Sequence, residues 1–221
     1  MRSYFGTLGE ISAAGAEDYF EGSMHSSNMP RAAWKEGVVP NALQRQSNVA
    51  LPFFPSEMTL FPLFDHETQL VAEELQLKSG EWYAAFEGEK SIHVLDSASY
   101  EYPSSPKETI EKLCFAAKMD TLGRTPYFTL LLQCTGSNNG ETITKTAVFD
   151  VDEITSFSGA IAAITCMAVL DGEVKPGLHH TASIKNGDFF IDHLKEMHHN
   201  HSVQIIEESI EELLNEEEGV L

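Results

Sequence analysis

The chain has 221 residues, of which 42% are hydrophobic and 10% are aromatic. This composition provides for a sizeable core and excludes a chain that is disordered throughout. The 34 acidic and 14 basic residues give a formal net charge of −20. Binding to nucleic acid or to an anionic membrane is therefore not expected, because both depend on clusters of Lys and Arg.

Three cysteines, Cys114, Cys134 and Cys166, lie in separate apolar stretches. Their odd number and the lack of any Cys-x-x-Cys pair predict free thiols in a reducing compartment. The N-terminal residues lack the apolar run of a secretory signal. The longest apolar stretch, 159–170, is shorter than the roughly 20 residues that cross a bilayer. We therefore expect a soluble, cytoplasmic protein.

Residues 1–60 are rich in Gly, Pro, Ser and Asn and contain recurrent aromatic residues. This mixture predicts irregular structure with short strands, anchored by aromatic side chains. Asp65 is predicted to be the N-cap of a helix because apolar residues follow it at helical spacing. Two short strands are predicted after that helix, at 81–86 and 91–95.

The clearest predicted helix begins at Ser105. Pro106 occupies the first helical position and Glu108 follows three residues after the cap, which is the pattern of a capping box. The helix is expected to end near Gly123.

A hairpin is predicted from two strands at 127–134 and 142–150. The dipeptide Asn139-Gly140 between them tolerates the positive φ angles of a tight turn. A buried helix rich in small residues is predicted from Ser156 to Asp171, ended by Gly172. Another helix is expected from about Phe189 to Met197.

The C-terminal segment from Ser202 to Glu218 is predicted to be an amphipathic helix, either a solvated surface helix or a partner-binding one. Its apolar stripe consists of Ile205, Ile206, Ile210, Leu213 and Leu214. The predicted fold is α+β, with a mixed or antiparallel sheet and packed helices. It comprises a single domain over 1–201 and an acidic helical tail over 202–221.

Several sequence motifs that carry chemistry are missing. There is no Gly-x-Gly-x-x-Gly between a predicted strand and helix, no P-loop, no Gly-x-Ser-x-Gly elbow and no His-Glu-x-x-His pair. We therefore predict no cofactor site within this chain.

Six of the nine histidines lie between 179 and 201. Imidazole is a common ligand of zinc, copper and nickel. The candidate metal ligands are His193, His198, His199 and His201. The alternative is an exposed connector between two helices, in which these histidines contact only water.

The stretch from Leu122 to His180 resembles the C-terminal, substrate-side part of saccharopine dehydrogenase-like oxidoreductases. A strand, a Gly-x-x-x-Gly turn, a second strand ending in acidic residues, a helix rich in small residues and a Pro-Gly segment follow in that order. The corresponding residues are Gly136–Gly140, Val148–Asp152, Phe157–Leu170, Gly172–Val174 and Pro176–Leu178. Residues 32–37, 52–53 and 60–67 are similar to the stretch that precedes it in these proteins.

This resemblance implies a substrate-binding and dimerisation domain without the nucleotide-binding Rossmann half. NAD(P) would then bind only to a Rossmann domain supplied elsewhere, and the expected partners are a second copy of the chain and a small-molecule substrate. Arg31, Lys35 and Arg124, in or beside the matched segments, are the basic residues expected to contact the substrate. The resemblance assigns no catalytic residue.

Two other functions stay open. The acidic C-terminal helix and the lack of a catalytic constellation are compatible with a non-enzymatic interaction protein. An enzyme site in the aromatic N-terminal half is the third possibility, in a pocket lined by Trp34, Asp65, His66 and Tyr83. Core packing is the more common use of such aromatic residues.

Overall fold

The computed structural model describes residues 1–24, 29, 31–152, 154–184, 186–196 and 201–218. The helices are α1 (Ala13–Met24), α2 (His66–Glu74), α3 (Glu89–Glu101), α4 (Pro106–Thr121), α5 (Ile154–Leu170), α6 (Gly187–Glu196) and α7 (Ile210–Glu218). The strands are β1 (Arg2–Leu8), β2 (Ala33–Lys35), β3 (Val38–Val39), β4 (Gln46–Val49), β5 (Met58–Pro62), β6 (Ser79–Phe86), β7 (Tyr127–Asn138), β8 (Glu141–Val151) and β9 (His201–Ile206).

All of these strands belong to one sheet, whose main path runs β3-β2-β6-β1-β7-β8-β9. Strand β5 pairs with β6 beside β2, and β4 pairs with β5. Strands β1 and β6 are parallel, whereas the other pairs are antiparallel. This mixed sheet with packed helices confirms the predicted α+β fold.

The predicted β7–β8 hairpin is confirmed. Its turn residues Asn139 and Gly140 have φ angles of 51° and 87°, as a tight hairpin turn requires. The two strands pair from Phe128–Val151 to Asn138–Glu141, so the hairpin is longer than predicted.

Alternate residues of the hairpin pack against different helices. Leu131 and Val148 are fully buried in a cluster that includes Ile210 of α7. Leu130 and Phe149 pack instead with Ile164 of α5. This alternation follows from the period of two in a β-strand, and it places α7 and α5 on opposite faces of the sheet.

The helix caps are confirmed in one case and corrected in another. The Asp65 side chain accepts a hydrogen bond from the backbone amide of Thr68, whose hydroxyl accepts from the Asp65 amide, forming a capping box. Ser105 is the N-cap of α4 with Pro106 in the first turn, but its side chain makes no capping hydrogen bond. The predicted capping box at Ser105 is therefore wrong.

Three other local predictions differ from the structure. The strand expected at 91–95 lies inside α3, where Val94 and Leu95 pack against helices α1 and α4. Helix α1 was not predicted, because its weakly amphipathic sequence resembles a loop. Helix α5 buries Ala160, Ile164 and Ala168 but exposes much of its remaining surface, so it is not the fully buried helix that its composition suggests.

The C-terminal segment is also corrected. The helix expected from Ser202 begins at Ile210, and residues His201–Ile206 form β9, paired with β8. Val203 packs with the α5 cluster and Ile206 packs with the α7 cluster. Residues three positions apart lie on opposite faces of a strand, and the unpaired edge of β8 favours that conformation.

No helix in the described part of the chain is both long and apolar enough to cross a bilayer. The three cysteines are free thiols, with Cys114 half-buried and Cys134 and Cys166 exposed, which agrees with the prediction from their spacing.

Candidate functional site

A cleft of about 520 Å³ opens at one edge of the sheet. We call it the Glu87 cleft. It is lined by Leu8, Phe53, Phe54, Pro55, Glu87, Arg124, Thr125, Pro126, Tyr127, Thr129 and Asp150.

The sheet topology brings these residues together. Strands β1 and β6 are parallel, so their carboxyl ends meet at one edge, where Leu8 ends β1 and Glu87 follows β6. Strand β7 is antiparallel to β1 and begins at that edge with Tyr127 opposite Leu8. Strand β8 returns to the same edge, which places Asp150 opposite Thr129. Ligand sites in open α/β sheets commonly lie outside the carboxyl ends of parallel strands.

Glu87 is the most deeply buried charged group of the cleft. Its side chain is 2% exposed and forms an ion pair with Arg124, whose side chain is 39% exposed. The Oε2 atom accepts hydrogen bonds from Arg124 and from the hydroxyl of Ser56. The other oxygen, Oε1, is buried and has no hydrogen-bond partner among the described residues. An unpartnered buried carboxylate oxygen is costly and needs a physical explanation.

Tyr127 carries a second unpartnered atom. Its hydroxyl is buried and forms no hydrogen bond with the described residues. Burial, followed by the negative charge of Glu87, raises the pKa of the Tyr127 phenol well above its ordinary value. The hydroxyl is therefore protonated at neutral pH, and it can donate or accept one further hydrogen bond.

Asp150 supplies another carboxylate to the cleft. Its Oδ1 atom accepts a hydrogen bond of 3.0 Å from the hydroxyl of Thr129, the residue opposite it on β7. Glu87 and Asp150 contribute two negative charges and Arg124 one positive charge, so the cleft carries one negative charge in excess.

The apolar wall of the cleft is the loop between β4 and β5. Phe53 has a φ angle of 66°, an unfavourable backbone conformation that non-glycine residues often adopt at functional sites. The ring of Phe54 meets that of Tyr127 edge to face, with centroids 6.4 Å apart. A Cβ atom at Gly6 would lie 2.6 Å from the Phe54 ring, so glycine at this position lets the loop lie against β1.

A second cavity, of about 80 Å³, lies between β1 and the α1, α3 and α4 helices. It is mainly apolar, with Ile11, Tyr19, Leu95 and Leu113 among its lining residues. Its polar end contains Asp120, whose carboxylate is already bonded to the N-terminus of α3. This cavity has less room and fewer available polar groups than the Glu87 cleft.

Of the five residues expected to contact a substrate, Arg124 lines the Glu87 cleft and the other four do not. Arg31 is exposed, and its Nε donates to the carbonyl of Leu43. The Trp34 indole lies in a core cluster with Phe64 and donates a hydrogen bond of 2.6 Å to a backbone carbonyl. Trp34 therefore has the structural role that is more common for buried aromatic residues.

The remaining predicted residues lie elsewhere. Lys35 is exposed at the end of β2, and His66 is exposed at the start of α2, with its ring 6.0 Å from that of His180. Asp65 caps α2, and Tyr83 stacks on Tyr4 in the central core. These contacts do not assemble the N-terminal pocket that was considered from the sequence.

The predicted metal ligands are only partly described. His193 packs on the ring of Phe189, and its Nδ1 lies 2.7 Å from the carbonyl of that residue. His198 and His199 lie outside the described residues, and only the backbone of His201 is described, as the first residue of β9. Within the described ranges, no group of three His, Cys, Asp or Glu side chains is arranged to hold a metal ion.

The fit of a dinucleotide was tested where β1 leads into α1. A phosphate cradle requires glycines because the backbone approaches the ligand closely. A Cβ atom at Gly9 would meet nothing within 4 Å, and Gly15 lies inside α1. Glu10 adds a negative charge to this connection. These residues do not fit a pyrophosphate-binding turn.

Sequence reasoning missed Glu87 and Tyr127, and it treated Asp150 as one of many surface acids. A weak signal was present, since Glu87-Gly88 directly follows the buried apolar strand β6 and precedes α3. A carboxylate at a strand-to-helix junction is a candidate site residue, but only the folded structure shows that its side chain is buried.

Comparison with known proteins adds no relative: no family model matches this chain, and no curated protein matches it at a significant level.

Proposed function

We propose that this chain is a small-molecule-binding domain and that its ligand occupies the Glu87 cleft. The observation that carries the proposal is the convergence of a buried carboxylate, a buried phenol, a guanidinium group and an apolar loop around one cleft of about 520 Å³. Ligand sites have this character: a concave and largely apolar surface, with a few polar groups that fix orientation.

The proposal extends to the role implied by the sequence resemblance. We infer a substrate-binding domain similar to that of saccharopine dehydrogenase-like oxidoreductases, with NAD(P) bound by a Rossmann domain supplied elsewhere. Its support is the resemblance of residues 122–180 together with the poor fit of the β1–α1 connection to a dinucleotide. The proposal assigns binding to this chain and leaves the chemical step to the complete system.

A screen of small polar fragments, followed by ¹H–¹⁵N NMR of the full chain, tests ligand binding. Shifts confined to residues around Leu8, Phe54 and Tyr127 are expected. Ligand-induced shifts elsewhere, or a blank screen, would contradict the proposal. Calorimetric titration with NADPH and NADH tests the cofactor assignment, for which no binding is expected; one-to-one binding would overturn that part.

We further propose that α5 pairs with α5 of a second copy. The helix has 17 residues and no charged side chain, whereas the whole chain carries a formal charge of −20. Two such chains repel each other over most of their surface, so an uncharged helix is a favourable place for contact. Leu170 and Met167 are 84% and 37% exposed on it, and small residues such as Ala163 permit close approach.

Sedimentation velocity tests this pairing. The wild type is expected to be a dimer and Leu170→Glu a monomer, because the substitution places two buried carboxylates at the contact. Leu122→Glu is the matched control, since Leu122 is 73% exposed outside α5 and its substitution should leave the dimer intact. A monomeric wild type, or an equal effect of both substitutions, would contradict the pairing.

The alternative role in protein interaction through the C-terminal helix has less support. Ile210 and Leu213 of α7 are 3% and 9% exposed, within this chain's own core. Deleting residues 202–221 would therefore remove β9 and core side chains together with any partner site. A cytoplasmic location stays part of the proposal, supported by three unpaired cysteines.

A further inference from the structure

We propose that the Glu87 cleft selects a protonated amine, held between Oε1 of Glu87 and the hydroxyl oxygen of Tyr127. This inference rests on the proposed function and specifies the chemical class of the ligand. The ammonium group would donate to both oxygens, and an apolar or aromatic body would lie against the loop that carries Phe53 and Phe54.

The first argument is the hydrogen-bonding capacity of Glu87. An ionised carboxylate accepts hydrogen bonds and cannot donate them. Arg124 and Ser56 both use Oε2, which leaves Oε1 buried without a partner. A ligand atom that satisfies Oε1 must therefore be a donor. A hydrogen bond from a charged donor to a carboxylate is among the stronger ones in proteins.

The second argument is the balance of charge. Glu87 and Asp150 outnumber Arg124 in the cleft, and the guanidinium group of Arg124 already pairs with Glu87. The protein around the cleft is strongly acidic, with a formal net charge of −20. An anionic ligand would meet both the local and the overall negative charge, whereas a cation is attracted by both.

The third argument is the position of Tyr127. Its hydroxyl is buried and lacks a partner, and the Glu87 charge acts on it strongly enough to raise its pKa. The two unpartnered oxygens are therefore neighbours. One ammonium group has three donor hydrogens and can satisfy both oxygens at once, which a neutral hydroxyl with a single donor cannot do.

The apolar wall defines the rest of the ligand. Phe54 lies edge to face with Tyr127, and Phe53 and Pro55 continue the same surface. Burying an apolar group against these residues adds affinity in proportion to the area removed from water. The class of ligand is therefore a primary amine with a short aromatic or aliphatic body.

Three probes of the same shape test the inference: benzylamine, benzyl alcohol and benzoate. Each is titrated into the ¹⁵N-labelled full chain at neutral pH, and the dissociation constant is read from shifts at the cleft. We expect benzylamine to bind about tenfold more tightly than benzyl alcohol, as a charged hydrogen bond to a carboxylate implies. Benzoate is expected to bind most weakly.

Substitutions then assign the preference to the two oxygens. Glu87→Gln is expected to abolish the preference for benzylamine over benzyl alcohol. Tyr127→Phe keeps the ring and should weaken benzylamine severalfold; since its hydroxyl has no partner in the protein, this variant is expected to fold. Glu141→Gln, at the exposed tip of the β7–β8 hairpin, is the matched control for loss of one negative charge and should change nothing.

The outcomes separate the inference from the function on which it rests. Equal binding of amine and alcohol at the cleft, or a preference for benzoate, overturns the inference and leaves the ligand-binding function standing. A preference for benzylamine that survives both Glu87→Gln and Tyr127→Phe also overturns it. If none of the three probes binds, the inference fails, and a blank fragment screen would remove the proposed function as well.

Discussion

Asp120 of α4 caps the N-terminus of α3 through Ser91. Its Oδ2 atom accepts hydrogen bonds of 2.8 Å from the Ser91 amide and 2.7 Å from the Ser91 hydroxyl, and Oδ1 accepts from the amide of Lys90. The cap of one helix is thus supplied by its neighbour. A Cβ atom at Gly88 would lie 2.3 Å from Oδ2, so glycine at that position permits the contact.

Asp120→Ala is expected to destabilise the protein by about 1 kcal/mol, the usual loss on removing a helix N-cap. Asp120→Asn keeps one acceptor oxygen and should lose less. Urea denaturation followed by circular dichroism measures both values. Equal stability of Asp120→Ala and the wild type would mean that the cap contributes nothing.

The ion pair between Arg2 and Glu211 ties β1 to α7, with nitrogen–oxygen distances of 2.5 and 2.8 Å. The hydrogen bond from Arg2 lowers the pKa of the Glu211 carboxyl below its ordinary value of 4.5. Its stabilising effect is therefore present above that value and is lost as the pH falls through the lowered pKa.

Glu211→Gln should cost about 0.5 kcal/mol at pH 7, because the pair is largely exposed. This difference from the wild type should shrink below the ordinary glutamate pKa and vanish once the carboxyl is protonated. Urea denaturation of both proteins over a pH series provides the test. A difference that stays constant down to the acid end would show that the charge of Glu211 has no role.

Leu131 lies at the centre of the sheet and is fully buried between β1 and β8. Leu131→Ala is expected to cost about 2–5 kcal/mol of unfolding free energy through lost burial and the cavity left behind. Leu122→Ala is the control, because Leu122 is 73% exposed and should change stability by less than about 0.5 kcal/mol. Similar losses for both would contradict the assignment of the core.

Two glycines of the β7–β8 hairpin separate backbone strain from steric contact. A Cβ atom at either Gly136 or Gly140 would meet nothing within 4 Å, but only Gly140 of the two has a positive φ, of 87°. Gly140→Ala should therefore destabilise the hairpin by about 1 kcal/mol. Gly136→Ala is expected to be neutral or slightly stabilising, since alanine restricts the unfolded chain. Thermal unfolding of the two variants measures the contrast, and an equal effect would contradict the turn geometry.

The three thiols are expected to differ in reactivity. Cys134 and Cys166 are exposed, whereas burial raises the pKa of the Cys114 thiol above its ordinary value of 9.0. Because the thiolate is the reactive form, iodoacetamide should label Cys134 and Cys166 before Cys114. Peptide mass spectrometry over a time course gives the three rates, with the urea-unfolded chain as the control. Fast labelling of Cys114 in the native protein would contradict its half-buried position.

Much of the local structure could be predicted because its signals lie within a few residues. Asn139-Gly140 specified the hairpin turn, Asp65 specified the start of α2, and Gly172, with a φ of 79°, follows the end of α5. Each of these depends on backbone preferences or on a hydrogen bond between near neighbours. Such signals survive in any tertiary context that does not oppose them.

The β9 strand shows where this reasoning ended. Val203, Ile205 and Ile206 fit a helical stripe when they are read with the residues that follow them. In the fold, the edge of β8 offers backbone partners over Thr146–Val151, and those hydrogen bonds favour a strand. The competing partner lies more than 50 residues away in the chain, so no local pattern contained it.

The sequence was sufficient for the α+β class, the acidic surface, the free thiols and the hairpin, because composition and short-range preferences carry that information. The Glu87 cleft depended on tertiary structure, since its residues come from segments up to 97 positions apart, from Phe53 to Asp150. Among the residues proposed from the sequence to contact a substrate, Arg124 alone lines it. Burial of the Glu87 carboxylate arises from the packing of β6, β7 and the Phe53–Pro55 loop, which brings acceptor oxygens together without any motif in the chain.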